Sequence, residues 1–195
     1  MKKLILSLIL SVSVYAATNA QDIIYGGLKL SPNYSFFTEE FKKVSSGIGY
    51  SIGYFEVLEL SNRINLQAEL NYSSYAFVDN RVDDVKTTTR YNYLELPVMV
   101  KYRVSETFAI GAGYQLNLLN EVFKKGKVTS KFDGEEESMD LSAEEIIGTN
   151  GFFVDANVKG GNNIFGLRVL STNDPLFEGK KSLNVALYVG FTLFK

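Results

Sequence analysis

The feature that most constrains this chain is a two-residue alternation that recurs along it. In residues 64–77, Ile64, Leu66, Ala68, Leu70 and Tyr72 fall on one set of positions, and Asn65, Gln67, Glu69, Asn71 and Ser73 on the other. Successive side chains of a β-strand point to opposite faces, so such a segment has one apolar and one wet face. Residues 93–104 repeat the pattern, with Leu94, Leu96, Val98, Val100 and Tyr102 against Glu95, Met99, Lys101 and Arg103. Residues 108–118 set Phe108, Ile110, Ala112, Tyr114 and Leu116 against Ala109, Gly111, Gly113, Gln115 and Asn117. The final segment sets Leu183, Val185, Leu187, Val189, Phe191 and Leu193 against Asn184, Ala186, Tyr188, Gly190, Thr192 and Phe194. Weaker alternation marks residues 23–34, 47–57, 152–159 and 164–170, which makes about eight strands and no sustained helical period.

Alternation alone is shared with soluble barrels and sandwiches. Three properties point instead to a sheet whose apolar face meets lipid. That face carries large residues at nearly every position, whereas a soluble barrel packs it inward by mixing small and large ones. The strands approach the ~9–11 residues of a tilted membrane strand. The connections also alternate in length: 35–46 is long, 58–63 short, 78–90 long, 104–107 short, 119–151 very long, 160–163 short and 171–181 long. Outer-membrane barrels have short periplasmic turns and long external loops. The expected fold is therefore all-β, an antiparallel up-and-down transmembrane β-barrel, integral to the cell outer membrane, with both termini periplasmic. Aromatic residues gather toward the strand ends. Tyr54, Phe55, Tyr102, Phe108, Phe191 and Phe194 lie on the short-turn side, and Tyr34, Tyr72, Tyr75 and Tyr91 on the long-loop side. Two interfacial aromatic bands account for that placement.

The first twenty residues read differently. Lys2 and Lys3 precede an apolar stretch, residues 4–14, broken only by serines, and Ala16, Ala17, Thr18, Asn19 and Ala20 follow. This is the layout of a secretory signal peptide. Cleavage after Ala20 leaves 21–195 as the barrel domain, with Ala16 the second candidate site. The stretch is too short for a helix crossing a ~30 Å hydrocarbon core.

Absences exclude much chemistry. The chain has no cysteine and no histidine. That removes disulfides, thiol nucleophiles, lipid attachment at a cysteine, the Ser-His-Asp triad and imidazole metal ligands. A net charge of -2 presents no basic field for nucleic acid. The sequence therefore predicts no enzyme, no cofactor and no metal centre.

The stretch Tyr93-Leu94-Glu95-Leu96-Pro97, continuing to Lys101-Tyr102, resembles the central strand of the porin-like outer-membrane β-barrel family of Bacteroidetes-type bacteria. Ile110-Gly111-Ala112-Gly113-Tyr114 resembles that family's next strand. Residues 187–194 resemble its C-terminal insertion signal, which implies recognition by the barrel assembly machinery. The chain ends in Lys195, where the family more often ends in an aromatic residue. Pro97 conflicts with a plain ladder, since proline has no N–H to donate, and a local bulge is the expected accommodation.

Mid-strand charges give the site expectation. Glu69, Glu95, Lys101, Asp155 and Arg168 all sit on wet faces. An eight-stranded barrel is only wide enough for its own side chains, and buried charge must be paired. An internal ion-pair network that fills the lumen is expected, with a proton or ion path as the alternative. The loops carry further charge. Asp79, Asp83 and Asp84 form one acidic group and Asp133, Glu135, Glu136 and Glu137 another, without the spacing of a calcium loop. Ser142 and Glu145 have capping-box spacing, which predicts a short helix. Lys124, Lys125, Lys127 and Lys131 either touch lipopolysaccharide phosphates or keep an exposed hairpin soluble. Two function classes follow. One is a structural or interaction barrel working through its long external loops, with outer-membrane lipid and lipopolysaccharide as partners. The other is a transport or protein-secretion accessory barrel, since some members of the resembled family assist export.

Overall fold

The alternating segments form one antiparallel sheet that closes on itself. The computed structural model describes residues 23–37, 44–79, 86–118, 125–132, 135–141, 150–172 and 182–194. Its strands are β1 (Ile23–Phe37), β2 (Val44–Glu59), β3 (Ile64–Asp79), β4 (Lys86–Arg103), β5 (Phe108–Asn117), β6 (Lys125–Phe132), β7 (Glu135–Leu141), β8 (Gly151–Gly160), β9 (Asn163–Thr172) and β10 (Ser182–Phe194). Eight of them make the wall, in the cyclic order β1-β2-β3-β4-β5-β8-β9-β10, with β1–β10 and β3–β4 both paired. Closure leaves this wall no free edge. The residues of the predicted signal peptide, 1–20, lie outside the described part.

The wall is inside-out compared with a soluble barrel. Lys29, Asn33, Asn71, Gln115, Asn157 and Asn184 are buried, while Ile48, Phe152, Leu187 and Leu193 are exposed, at 61–70%. Side-chain parity sorts the two sets as the sequence alternation requires. The interior also holds apolar groups: Phe55, Val57, Ile164 and Tyr188 in one cluster, Met99, Phe153 and Leu170 in another.

Local chemistry fixes the short turns. The connections 60–63 and 104–107 are built alike: Ser61 Oγ accepts from the Ile64 amide and Ser105 Oγ from the Phe108 amide. Between β8 and β9 only residues 161 and 162 intervene, and Gly161 takes a φ of 61°, a left-handed conformation that favours glycine. These three connections lie at the end of the barrel where β1 begins and β10 ends. The strand ends that the long connections join lie at the other.

The structure corrects the sequence reading in three places. The connection 119–151 contains the hairpin β6–β7, and β6 pairs with the first half of β4, itself part of the expected connection 78–90. Ser142 and Glu145, where a helix start was expected, lie outside the described residues. Second, no bulge forms at Pro97. The β3–β4 ladder opens between Ala68↔Val98 and Asn71↔Glu95 and resumes in the same register, while β4–β5 pairing runs through Pro97↔Gln115. Third, Phe55, Tyr75 and Tyr91 do not belong to the aromatic bands. They are 2–5% exposed and face the interior, because their parity matches the wet set. Outward aromatics on the long-loop side include Tyr34, Tyr50, Tyr72 and Phe152; toward the short turns they include Tyr102, Phe108, Phe165, Phe191 and Phe194.

Candidate functional site in the barrel interior

Six strands send one polar side chain each to a single level of the lumen: Lys29 from β1, Glu69 from β3, Lys101 from β4, Asp155 from β8, Arg168 from β9 and Tyr188 from β10. All lie on inward parity positions. Asp155 and Arg168 are direct cross-strand partners, so their pairing follows from register alone. Glu69 reaches them across the lumen.

Arg168 is the centre. Its Nη1 and Nη2 donate to Glu69 Oε2 and Oε1 at 2.9 and 2.7 Å, a bidentate fork. Its Nε and Nη2 donate to Asp155 Oδ2 at 3.1 and 3.0 Å. The guanidinium also lies 4.3 Å from the Phe153 ring centre, in cation–π contact. Lysine, with a single ammonium, cannot reproduce this planar double grip.

The two carboxylates are saturated by further donors. Glu69 accepts from Lys29 Nζ, from Gln67 Nε2 at 2.6 Å and from Asn71 Nδ2 at 3.0 Å. Asp155 accepts from Tyr188 OH at 2.8 Å and Asn157 Nδ2 at 3.0 Å, and Lys101 Nζ lies 3.7 Å from its Oδ1. Gly166 makes room for the tyrosine, since a Cβ there would sit 2.2 Å from the Tyr188 ring. Such multiple partnering is what allows buried charges to persist.

Of the five charges singled out in the sequence, the structure brings Glu69, Lys101, Asp155 and Arg168 together. Glu95 sits nearer the long loops. There its Oε2 accepts from Ser73 Oγ at 2.6 Å and Tyr75 OH at 3.2 Å, and Gln115 Nε2 donates to Tyr75 OH at 3.3 Å. Lys29 and Tyr188 are the members that sequence reasoning missed. The signal for Lys29 is a lone charge between Leu28 and Leu30. It is weak because Gly26 and Gly27 interrupt the apolar alternation beside it. Tyr188 reads as one more aromatic of the last strand, and its phenol gains meaning only from the position of Asp155.

Little space remains around these groups. One interior cavity of about 20 Å³ is lined by Asn71, Ser73, Glu95 and Arg168 among others, and another of about 10 Å³ by Gln67, Lys101 and Tyr188 among others. A single water needs ~10–15 Å³ on this measure, so each holds about one. Asn71 Oδ1 and Gln67 Oε1, acceptors without a protein donor, line these two spaces. Among the described residues no group of three carboxylates suited to a metal ion occurs. Of the acidic loop residues, Asp83, Asp84 and Asp133 lie outside the described part.

A closed antiparallel wall with an apolar exterior and a charged, internally paired lumen defines a transmembrane β-barrel. Residues 19–152 match the family described as "Outer membrane protein beta-barrel domain", and the chain belongs to that family. It is accordingly an integral protein of a bacterial outer membrane, of Gram-negative type. Among solved structures it is similar to Ail, the attachment invasion locus protein of Yersinia pestis, at 11% identity over 87% of this chain and 97% of that one, with a TM-score of 0.46. It is similar to Neisserial surface protein A at 10% identity over 87% and 96%, TM-score 0.45. The N-terminal β-barrel domain of Pseudomonas aeruginosa OprF is similar at 12% identity over 86% and 97%, TM-score 0.32. Among curated proteins, no sequence matches this chain.

Proposed function

We propose that this protein is a non-enzymatic structural or interaction barrel whose lumen is filled by its own side chains and whose long loops face the cell exterior. The observation that carries this reading is the Arg168 fork, which ties β9 to β3 across the lumen through Glu69. Lys29, Lys101 and Arg168 balance Glu69, Glu95 and Asp155 in charge, and the two cavities beside these groups are water-sized. An ion crossing here would have to displace paired charges at a cost of several kcal/mol each. With the interior committed to structure, contact with a partner falls to the exposed segments.

The same reading includes export by a signal peptide over residues 1–20, both termini in the periplasm, insertion by the barrel assembly machinery through residues 187–194, and a source in Bacteroidetes-type bacteria. The common end of the strand termini and short turns supports the orientation, because exported barrels keep short turns on the periplasmic side. Conductance of the purified protein in planar bilayers tests the filled lumen. The expected trace has no large, stable open state; a persistent open channel would sink the proposal.

A further inference from the structure

One lipid-facing position breaks the apolar pattern of the wall. Glu56 in β2 lies between Phe55 and Val57, which face the lumen at 2% and 0% exposure, so it shares the outward face with the exposed Ile52. Register agrees. Glu56 pairs with Gly26 of β1 and Ala68 of β3, which share a face with the exposed Leu28 and Leu70. In the half of the wall nearer the short turns, Glu56 is the one charged side chain at an outward strand position among the described residues.

Its surroundings supply a neutral donor and two rings, but no cation. The Tyr54 hydroxyl, on the same face, donates to Glu56 Oε1 at 2.9 Å. A Cβ on Gly26 would stand 2.6 Å from the Phe194 ring and 3.1 Å from the Tyr54 hydroxyl, so both aromatic side chains converge over that glycine, beside Glu56. Two arginines of the same end are engaged elsewhere: Arg103 pairs with Glu59, and Arg63 donates to the Tyr102 hydroxyl. Among the described residues no lysine or arginine forms an ion pair with Glu56. A carboxylate facing lipid costs free energy unless a charge partner or further donors meet it.

Depth narrows the choice of partner. Phe194 belongs to the short-turn aromatic band, which marks the boundary between hydrocarbon and headgroups. A cation reaching Glu56 from outside the chain at that depth is a lipid headgroup. An alkylammonium suits the setting twice over: its N–H groups donate to a carboxylate, and its charge is attracted to aromatic faces. We infer that Glu56, with Tyr54 and Phe194, forms a binding site for the primary ammonium of a zwitterionic phospholipid, namely phosphatidylethanolamine. The site needs only the membrane-crossing wall, whichever leaflet the short turns face.

Native mass spectrometry of the folded mature chain in detergent micelles tests this, with titrations of phosphatidylethanolamine and of the same lipid N-acetylated. Acetylation removes the cation and keeps the rest of the molecule. Heat-dependent gel migration establishes that each variant is folded. Wild-type protein is expected to bind the amine lipid ~3- to 5-fold more tightly than the acetylated one, the size of a single partly exposed ion pair. E56Q should bind the two alike. E106Q, which removes an exposed acid of the 104–107 turn, should keep the wild-type preference. Equal binding of both lipids by the wild type, a preference that survives E56Q, or an equal loss in E106Q would overturn the assignment. So would glycerophosphoethanolamine bound as tightly as the lipid, which would make the ligand a soluble amine. A dimer lost in E56Q would overturn it too, since a second copy of the chain would then occupy the site.

Discussion

Arg168 concentrates the physics of this interior in one side chain. It is 5% exposed and holds two carboxylates that are themselves buried. Replacement by methionine keeps much of the volume but leaves Glu69 and Asp155 without their shared cation. Breaking a buried pair from one side costs about 3–5 kcal/mol, because the orphaned charge must be protonated or hydrated. Arg168→Met is therefore expected to destabilise the barrel by that amount in urea titrations of vesicle-reconstituted protein. Adding Glu69→Gln and Asp155→Asn to it should deepen the loss, since Lys29 and Lys101 would then be buried cations without a counter-ion at this level. A loss below ~1 kcal/mol for the single variant would mean that Lys29 and Lys101 neutralise the carboxylates without Arg168. The identity of this centre was only half legible in the sequence. Parity places Glu69, Lys101, Asp155 and Arg168 on wet faces, and closure of a narrow barrel forces them inward. Which charge meets which depends on strand stagger, and nothing in the alternation encodes stagger. That is why Glu95 groups with them on parity alone, whereas Lys29 is hidden by Gly26 and Gly27, which interrupt the alternation beside it.

At the scale of elements, visibility in the sequence tracks contrast between the two faces. β3, β4 from Tyr93 onward, β5 and β10 lie between lipid and a polar lumen, and each alternates plainly. The first half of β4, with β6 and β7, alternates little in polarity: Lys86, Thr87, Thr88, Thr89 and Arg90 are polar on both parities. Periodicity has nothing to detect there, so the ribbon was read as connection. Its attachment makes a second expectation. β6 pairs with β4 at Lys86–Asn92, whereas β5 pairs with β4 at Glu95–Arg103. Within the barrel wall, β4 keeps both neighbours without the hairpin. Replacing residues 119–149 by a short Gly/Ser linker should leave the barrel assembled, as judged by unchanged heat-dependent migration and β-sheet circular dichroism. Loss of assembly would show that the hairpin is needed to set the β4–β5 register. Loop length itself adds little cost, because closure entropy grows only logarithmically with length.

For the whole molecule the decisive property is closure, and the two prolines in the wall show how it is kept. Pro32 in β1 has no amide hydrogen, and β1–β10 pairing lapses between Leu30↔Val189 and Asn33↔Ala186 without a shift of register. The carbonyl of Leu187, left without that partner, is reached instead by Ser31 Oγ at 2.7 Å. At Pro97 the gap falls on the β3 side, and β4–β5 pairing carries the strand across it. A closed ladder therefore tolerates a missing donor where a neighbouring group or the opposite strand compensates. Val189 has no such cover: it pairs with Leu30 of β1 and with Phe165 of β9, and glycine follows it. Whichever neighbour its amide faces, Val189→Pro removes a ladder bond beside the gap that Pro32 already makes. Wild-type protein is expected to migrate faster on gels before heating than after, since the closed wall resists dodecyl sulfate at room temperature. The V189P variant should run as the unfolded band at either temperature. A variant that still shifts on heating would mean that the remaining β1–β10 and β9–β10 pairs close the barrel unaided. The seam would then be held by lipid-facing packing of Leu28, Leu30, Leu187 and Leu167 more than by its hydrogen bonds.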